Sequence, residues 1–239
     1  MNGRVLLLPV ALKDGLPILI SEIPSAESGK ACGCICPNCG GSLVAIKGPF
    51  QQQHFTHKRV DYSYDTENAT LVGLLEIARA ILQQEGKIML PGLEAIDSSV
   101  DDYRADFETF RALSRRRQVA FPEIVPVVQV RLVKNPEEPV PHLVAETTKG
   151  RIQIVLQVRR RSGKPAQNLL PDGDSTVIEI DLSRSTYPEI LDRDSLRTIF
   201  VFNTIHKRWL QCARLTCATK ELFEENRATI LQIQEQRGK

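Results

Sequence analysis

Apolar runs at residues 5–12 and 16–23 flank Asp14-Gly15. A dipeptide of that kind between two such runs predicts a hairpin, with Pro17 tolerable only near the start of an edge strand. Leu71, Leu74, Leu75, Ala78 and Leu82 then recur at helical spacing. Asp65 and Thr66 are the candidate caps of that helix, Glu67 suits its first turn, and Gly86 can end it. Strands are expected over residues 88–96 and 124–133, the second interrupted by Pro126, and the charged stretch between them, 97–117, holds a short helix or a mobile loop. Residues 142–147 and 151–158 are joined by Thr148-Lys149-Gly150 and read as an antiparallel hairpin. The polar residues 159–175, with Gly163, Pro165, Pro171 and Gly173, read as an exposed loop. Ile178, Ile180 and Leu182 alternate with Glu179 and Asp181 as one further strand. From Pro188 onward the pattern turns helical, ending in a helix over 219–236 with Leu222, Phe223, Ile230 and Ile233 as its apolar stripe. No repeat or low-complexity tract interrupts this order. A β lobe, a helix, mixed strands and then helices predict an α+β or α/β chain, not a bundle.

At 239 residues and 42% hydrophobic composition, the chain can build one large domain or a small lobe plus a main domain. No apolar run approaches the roughly 20 residues that cross a bilayer, so no membrane partner is expected. The run at 5–12 faintly resembles a signal peptide behind Arg4, but it contains Pro9 and lacks a small-residue cleavage site. Four of the six cysteines fall within residues 32–39, beside histidines, as a metal site would have them. Cys212 and Cys217 read as ordinary helical thiols, and the expectation is a reducing cytoplasm without structural disulfides. The net charge of +2 hides two local triplets, Arg115-Arg116-Arg117 and Arg159-Arg160-Arg161. Either can neutralise phosphates, or be a solvated loop end.

Cys36 and Cys39 are followed, after fourteen intervening residues, by His54 and His57. A CxxC pair and an HxxH pair supply the ligand number that tetrahedral zinc requires, from donors that this ion prefers over hydrated carboxylates. A closed set of four leaves no position for substrate, so the expected zinc is structural. Cys32 and Cys34 can compete for one ligand position.

Cys36-Pro37-Asn38-Cys39-Gly40, then Gly48, then His54-Phe55-Thr56-His57, resembles the opening of the competence protein CoiA-like family. The segment from Val177 to Ser183, reading VIEIDLS, and Trp209 behind Lys207-Arg208 are similar to later parts of that family, and the likeness covers about residues 5–210. The resemblance implies a zinc-bound β lobe over residues 1–64 and a restriction-endonuclease-like PD-(D/E)XK domain over 65–215, a mixed sheet flanked by helices. The C-terminal helix over 216–239 lies outside it. It also implies DNA, single strands included, and recombination proteins as partners, in processing DNA taken up by a cell. The chain departs from the family where the chemistry sits. Mg²⁺ in such nucleases needs carboxylates, yet the two expected positions fall at Pro141-His142 and at Val155-Leu156-Gln157. Arg104-Ala105-Asp106 is a rival for the first motif, but lies too far from the strand beginning at Arg151 to form a simple hairpin with it. Glu146 lies roughly 13 Å from the expected position at about 3.3 Å per residue. Glu67 matches an auxiliary acid of the family, whereas Leu71 and Leu75 stand where polar residues are expected.

The candidate catalytic set is therefore Glu67, His142, Gln157, Glu179 and Asp181, and the candidate nucleic-acid contacts are the two arginine triplets. Three functions follow. One is a DNA-binding relative of the nucleases that lacks phosphodiester hydrolysis. Another is an active nuclease with migrated acids, for which alone Mg²⁺ would be needed. The third is a protein-interaction module with no nucleic-acid role.

Overall fold

A computed structural model describes residues 7–48, 50–58, 65–134, 141–158 and 176–237. The 159–175 insertion, with Arg159-Arg160-Arg161, lies outside the described residues. The amino-terminal hairpin forms from β1 (Val10–Lys13) and β2 (Leu16–Leu19). Asp14 and Gly15 take φ of 51° and 78°, the left-handed pair that matches the twist of a two-residue hairpin. β3 (Leu43–Ile46) and β4 (His54–His57) make a second antiparallel pair. Leu8, Ala11, Ile20, Ile23, Leu43, Ala45 and Phe55 are buried together beneath these strands, with Cys32, Cys34 and Cys36 among them.

Helix α1 (Thr66–Glu85) begins where Asp65 accepts the Asn68 amide at 3.0 Å and ends at left-handed Gly86. It buries more than the expected stripe. Ala69, Thr70, Val72, Gly73, Leu74, Leu75, Ile77, Ala78, Ile81 and Leu82 are all buried, whereas Leu71 is only partly so. The reason is that α1 serves two cores at once. Ala69 joins the cluster of the amino-terminal lobe, and the residues from Leu74 to Leu82 join the larger cluster under the main sheet. Gly73 sits where the lobe touches the helix: a Cβ there would lie 2.9 Å from the Val10 Cβ and 3.4 Å from the Pro37 Cγ.

The main sheet has six strands in the order β12-β11-β10-β9-β8-β5. These are β5 (Lys87–Leu90), β8 (Glu123–Val133), β9 (His142–Thr147), β10 (Gly150–Gln157), β11 (Thr176–Asp181) and β12 (Lys207–Gln211). β10 and β11 run parallel, and the other neighbours are antiparallel. The chain is α+β, with helices packed around a mixed sheet.

Three sequence expectations are corrected. Residues 88–96 are not one strand. Pro91-Gly92 break them into β5 and β6 (Leu93–Ile96), and β6 leaves the main sheet to pair with β7 (Arg116–Ala120). The close pass at Gly92, where a Cβ would stand 3.0 Å from the Ala120 carbonyl oxygen, allows that turn. The region after Pro188 is not wholly helical. Beyond the short helices α3 (Tyr187–Ile190) and α4 (Arg193–Arg197) and a π-helical turn at Thr198–Phe202, Lys207–Gln211 forms the edge strand β12. Its sequence, KRWLQ, shows no clean alternation, so its form comes from pairing with β11. The last helix, α5 (Ala213–Arg237), starts earlier than expected and buries Leu222 and Asn226, while Phe223 stays 43% exposed. The stretch 97–117 folds as a 3₁₀ segment, Ser98–Tyr103, followed by α2 (Phe107–Ala112) and the start of β7. Asn226 fastens α5 to it, accepting the Ser114 amide and donating to the Ser114 carbonyl and to Asp97, each at 2.9 Å.

Lys207 enters the interior and donates to the Met89 and Val201 carbonyls at 3.1 and 3.3 Å. Burial pushes its ammonium down to about 7. Between that value and the ordinary 10.5 the unfolded chain holds a proton that the folded chain has released, so this residue's contribution to stability improves as pH rises. Wild type should therefore gain on Lys207→Met between pH 7 and pH 10, by at most about 1.4 kcal/mol per pH unit, in paired urea titrations. Gly73→Ala should lower unfolding stability by about 1–3 kcal/mol in the same assay, because Val10 must give way.

Candidate functional site

The turn that carries the paired cysteines is built by the backbone. Cys36 donates its amide to the Gly41 carbonyl, and Gly40, at φ 72°, donates to the Cys36 carbonyl, both at 2.8 Å. The Ile35–Ser42 bridge closes the base of the loop. Burial pushes the Cys36 thiol up, while the amide N–H groups of Cys39 and Asn38, aimed at its sulfur, oppose that shift by favouring the thiolate. Lys134, from the end of β8, donates to the Pro37 carbonyl at 2.7 Å and braces the turn from outside.

β4 brings His57 to this turn, with Nε2 at 3.1 Å from the Cys39 Sγ. Burial pushes its imidazole down, toward the neutral form that ligates metals. The donor atoms of Cys36, Cys39 and His57 all lie within 4.8 Å of one another. Tetrahedral zinc would separate such donors by roughly 3.5–3.8 Å, given bonds of about 2.3 Å to sulfur and about 2.0 Å to nitrogen. The group can hold a metal ion. His54 lies outside it, with its Nδ1 at 2.7 Å from the Gln52 carbonyl oxygen. The reason is strand geometry: residues three apart on an extended chain leave opposite faces.

Cys32 and Cys34 lie outside the group as well. Both are buried, the first donating toward the Leu43 carbonyl and the second toward the Cys32 carbonyl. Burial pushes the Cys34 thiol up to about 12, so it packs as a small hydrophobe. Sequence reasoning missed Gly41. A Cβ there would lie 3.2 Å from His57 Cδ2 and 3.3 Å from the Cys39 Sγ. The signal was the doubled glycine directly after Cys39.

Four of the five nuclease candidates lie on the sheet face turned away from the main core. Leu143, Ala145, Ile152, Ile154, Ile178 and Ile180 enter that core, so His142, Gln157, Glu179 and Asp181 point the other way. Val155 pairs with Glu179 and Gln157 with Asp181 across the parallel strands, and Glu179 pairs with Arg208 on β12. His142, one step along the β9–β10 register from Leu143–Ile154, stands beside Val155. One row across the sheet thus reads His142, Val155, Glu179, Arg208. Glu179 is buried and bound to the Arg208 Nε at 2.7 Å. Asp181 turns to the Ser183 amide at 2.8 Å. Glu67 is exposed on the first turn of α1, a helix that packs on the other face. Among the described residues, these acids form no group of three that could hold a metal.

Arg115-Arg116-Arg117 is occupied within the chain. Arg115 meets Asp101 at 2.8 Å, Arg116 meets Glu94 at 3.2 Å, and Arg117 grips both oxygens of Glu225. Such surface pairs contribute about 0–1 kcal/mol each, but they leave the local charge near neutral. Comparison of the chain with known protein families, with curated proteins and with solved structures finds no match. No helix among the described residues is long and apolar enough to cross a membrane.

Metal uptake should separate the cysteines. Cys36→Ser should lose high-affinity binding, Gly41→Ala should weaken it roughly 10- to 100-fold, and Cys32→Ser should keep it while lowering stability. Competition against a chromogenic chelator measures the affinities, and equal loss in Cys32→Ser would show that the wrong sulfurs have been assigned.

Proposed function

We propose that this chain is a zinc-binding relative of the CoiA-like nucleases whose nuclease-shaped body binds DNA without hydrolysing it. Two thiolates and an imidazole are borderline-soft donors, which favours zinc over Mg²⁺ or Ca²⁺ at the Cys36–Cys39–His57 group. Its role is structural, holding a lobe whose own core is small. The mixed sheet, led by a buried helix and carrying the β9–β10 hairpin beside the parallel β11, is compatible with a restriction-endonuclease-like body. The observation that carries the loss of hydrolysis is the row His142, Val155, Glu179, Arg208. Where paired carboxylates would have to meet a metal, a valine separates the histidine from the single acid, and an arginine already neutralises that acid. Arg159-Arg160-Arg161 is the phosphate-contacting triplet of this reading, DNA recombination is the setting that the resemblance implies, and the clustered thiols suit a reducing cytoplasm.

One observation favours a protein-interaction module instead. The first arginine triplet is spent on internal acids, and a few residues further along the chain Phe121, Ile124 and Val128 are 78%, 52% and 66% exposed. Anisotropy titrations with labelled single-stranded and duplex oligonucleotides separate the readings. With three phosphates neutralised, affinity should fall roughly 20- to 40-fold between 50 and 200 mM salt. Combined Arg159→Glu, Arg160→Glu and Arg161→Glu should abolish binding, and no product should form with Mg²⁺ or Mn²⁺. Absent or salt-indifferent binding would leave the interaction module standing. Metal-dependent cutting would restore the active nuclease.

A further inference from the structure

The metal group differs from a closed cage in one respect that its geometry makes specific. Across β3 and β4, His57 stands opposite Leu43 and His54 opposite Ile46, at the two ends of a four-residue strand. An extended strand cannot turn both imidazoles to the same point, since its side chains alternate between faces. His57 reaches the cysteine turn, and His54 is held by the Gln52 carbonyl at 2.7 Å. Among the described residues the group therefore counts three donors, one of them on the exposed Cys39.

We propose that Cys36, Cys39 and His57 form an open metal centre that takes its fourth donor from solution, water at rest and a soft anion such as a small thiolate when one is present. The proposal rests on the zinc reading of the same group. Zinc keeps four ligands, and a site with three protein donors completes its shell with water or an added ligand. Two thiolates cancel the charge of a divalent ion, so the centre is neutral overall and imposes no charge barrier on an incoming anion. Gly41 keeps the space beside the group clear of a side chain, since even a Cβ would come within 3.2 Å of the His57 ring and 3.3 Å of the Cys39 sulfur. Cys36, at 1% exposed, fixes the inner side of the centre, and Cys39 leaves the outer side to solvent.

Cobalt substitution in the full chain tests this directly, because the visible bands of Co²⁺ report its coordination shell without any assay of activity. Wild type should bind one Co²⁺ per chain with thiolate charge-transfer absorption. Azide or 2-mercaptoethanol should then shift the visible bands saturably while the metal remains bound on gel filtration. His54→Ala should give the same spectrum, the same ligand response and an affinity within about threefold of wild type. His57→Ala should lose at least about tenfold in affinity, as expected when the metal shell is disturbed. Bands that neither ligand moves at saturation would overturn the proposal, as would a folded His54→Ala that loses cobalt as His57→Ala does. The ligand response is read on wild type, so it stands whether or not a variant folds. A folded wild type that takes up neither Co²⁺ nor Zn²⁺ would overturn the zinc reading itself, a result distinct from a site that binds but is closed.

Discussion

Two hydrophobic clusters share one helix, and the rest of the architecture depends on how closely they approach it. At Gly73 the missing side chain lets Val10 and Pro37 rest against α1. The cysteine turn is therefore seated on the main body and does not hang from it as a separate finger. Tyr187 adds a second tie, donating from α3 to the Gln53 carbonyl at 2.7 Å just ahead of β4. Arg193 adds a third, reaching Glu22 and, at 3.2 Å, the Pro17 carbonyl. The position of His57 relative to Cys36 and Cys39 is thus set from both sides of the lobe. An ion held by that group would be coupled to the folding of the body through these contacts.

The main sheet tells a complementary story. Its core face is aliphatic and continuous from β5 to β11, which is sufficient to hold the strands in register. Its other face carries the polar residues, and there the electrostatics are settled internally. A buried carboxylate such as Glu179 is costly unless it is paired, and Arg208 pairs it from the neighbouring strand. An acid held in that way is committed to structure. The same face would need at least one further free carboxylate before a hard divalent ion could compete with the guanidinium.

What could be read from the chain alone follows the range of the interactions involved. Asp14-Gly15, Asp65 with Gly86, and the turn before Arg151 were legible because a few adjacent residues dictate their backbone angles. CxxC was legible because its own amide groups cradle the Cys36 sulfur. The HxxH pair enters the group only through His57, for the converse reason. Spacing says which residues are near in sequence, but not whether a helix or a strand carries them, and on β4 the alternation divides the pair. β12 was hidden because KRWLQ owes its shape to β11. The arginine triplet looked free because its partners, Asp101, Glu94 and Glu225, come from three different elements. Gly73 was invisible as a contact because its role is defined by what presses on it.

The four clustered sulfurs also differ in access. Cys32, Cys34 and Cys36 are buried, and Cys39 is exposed. A gentle alkylating reagent therefore meets a graded series within eight residues of chain, with Cys39 shielded only when a cation holds it and the inner pair inert until the lobe opens. Peptide mapping after such treatment turns the amino-terminal lobe into its own occupancy gauge, with Cys32 and Cys34 as the built-in record of whether the fold stayed shut.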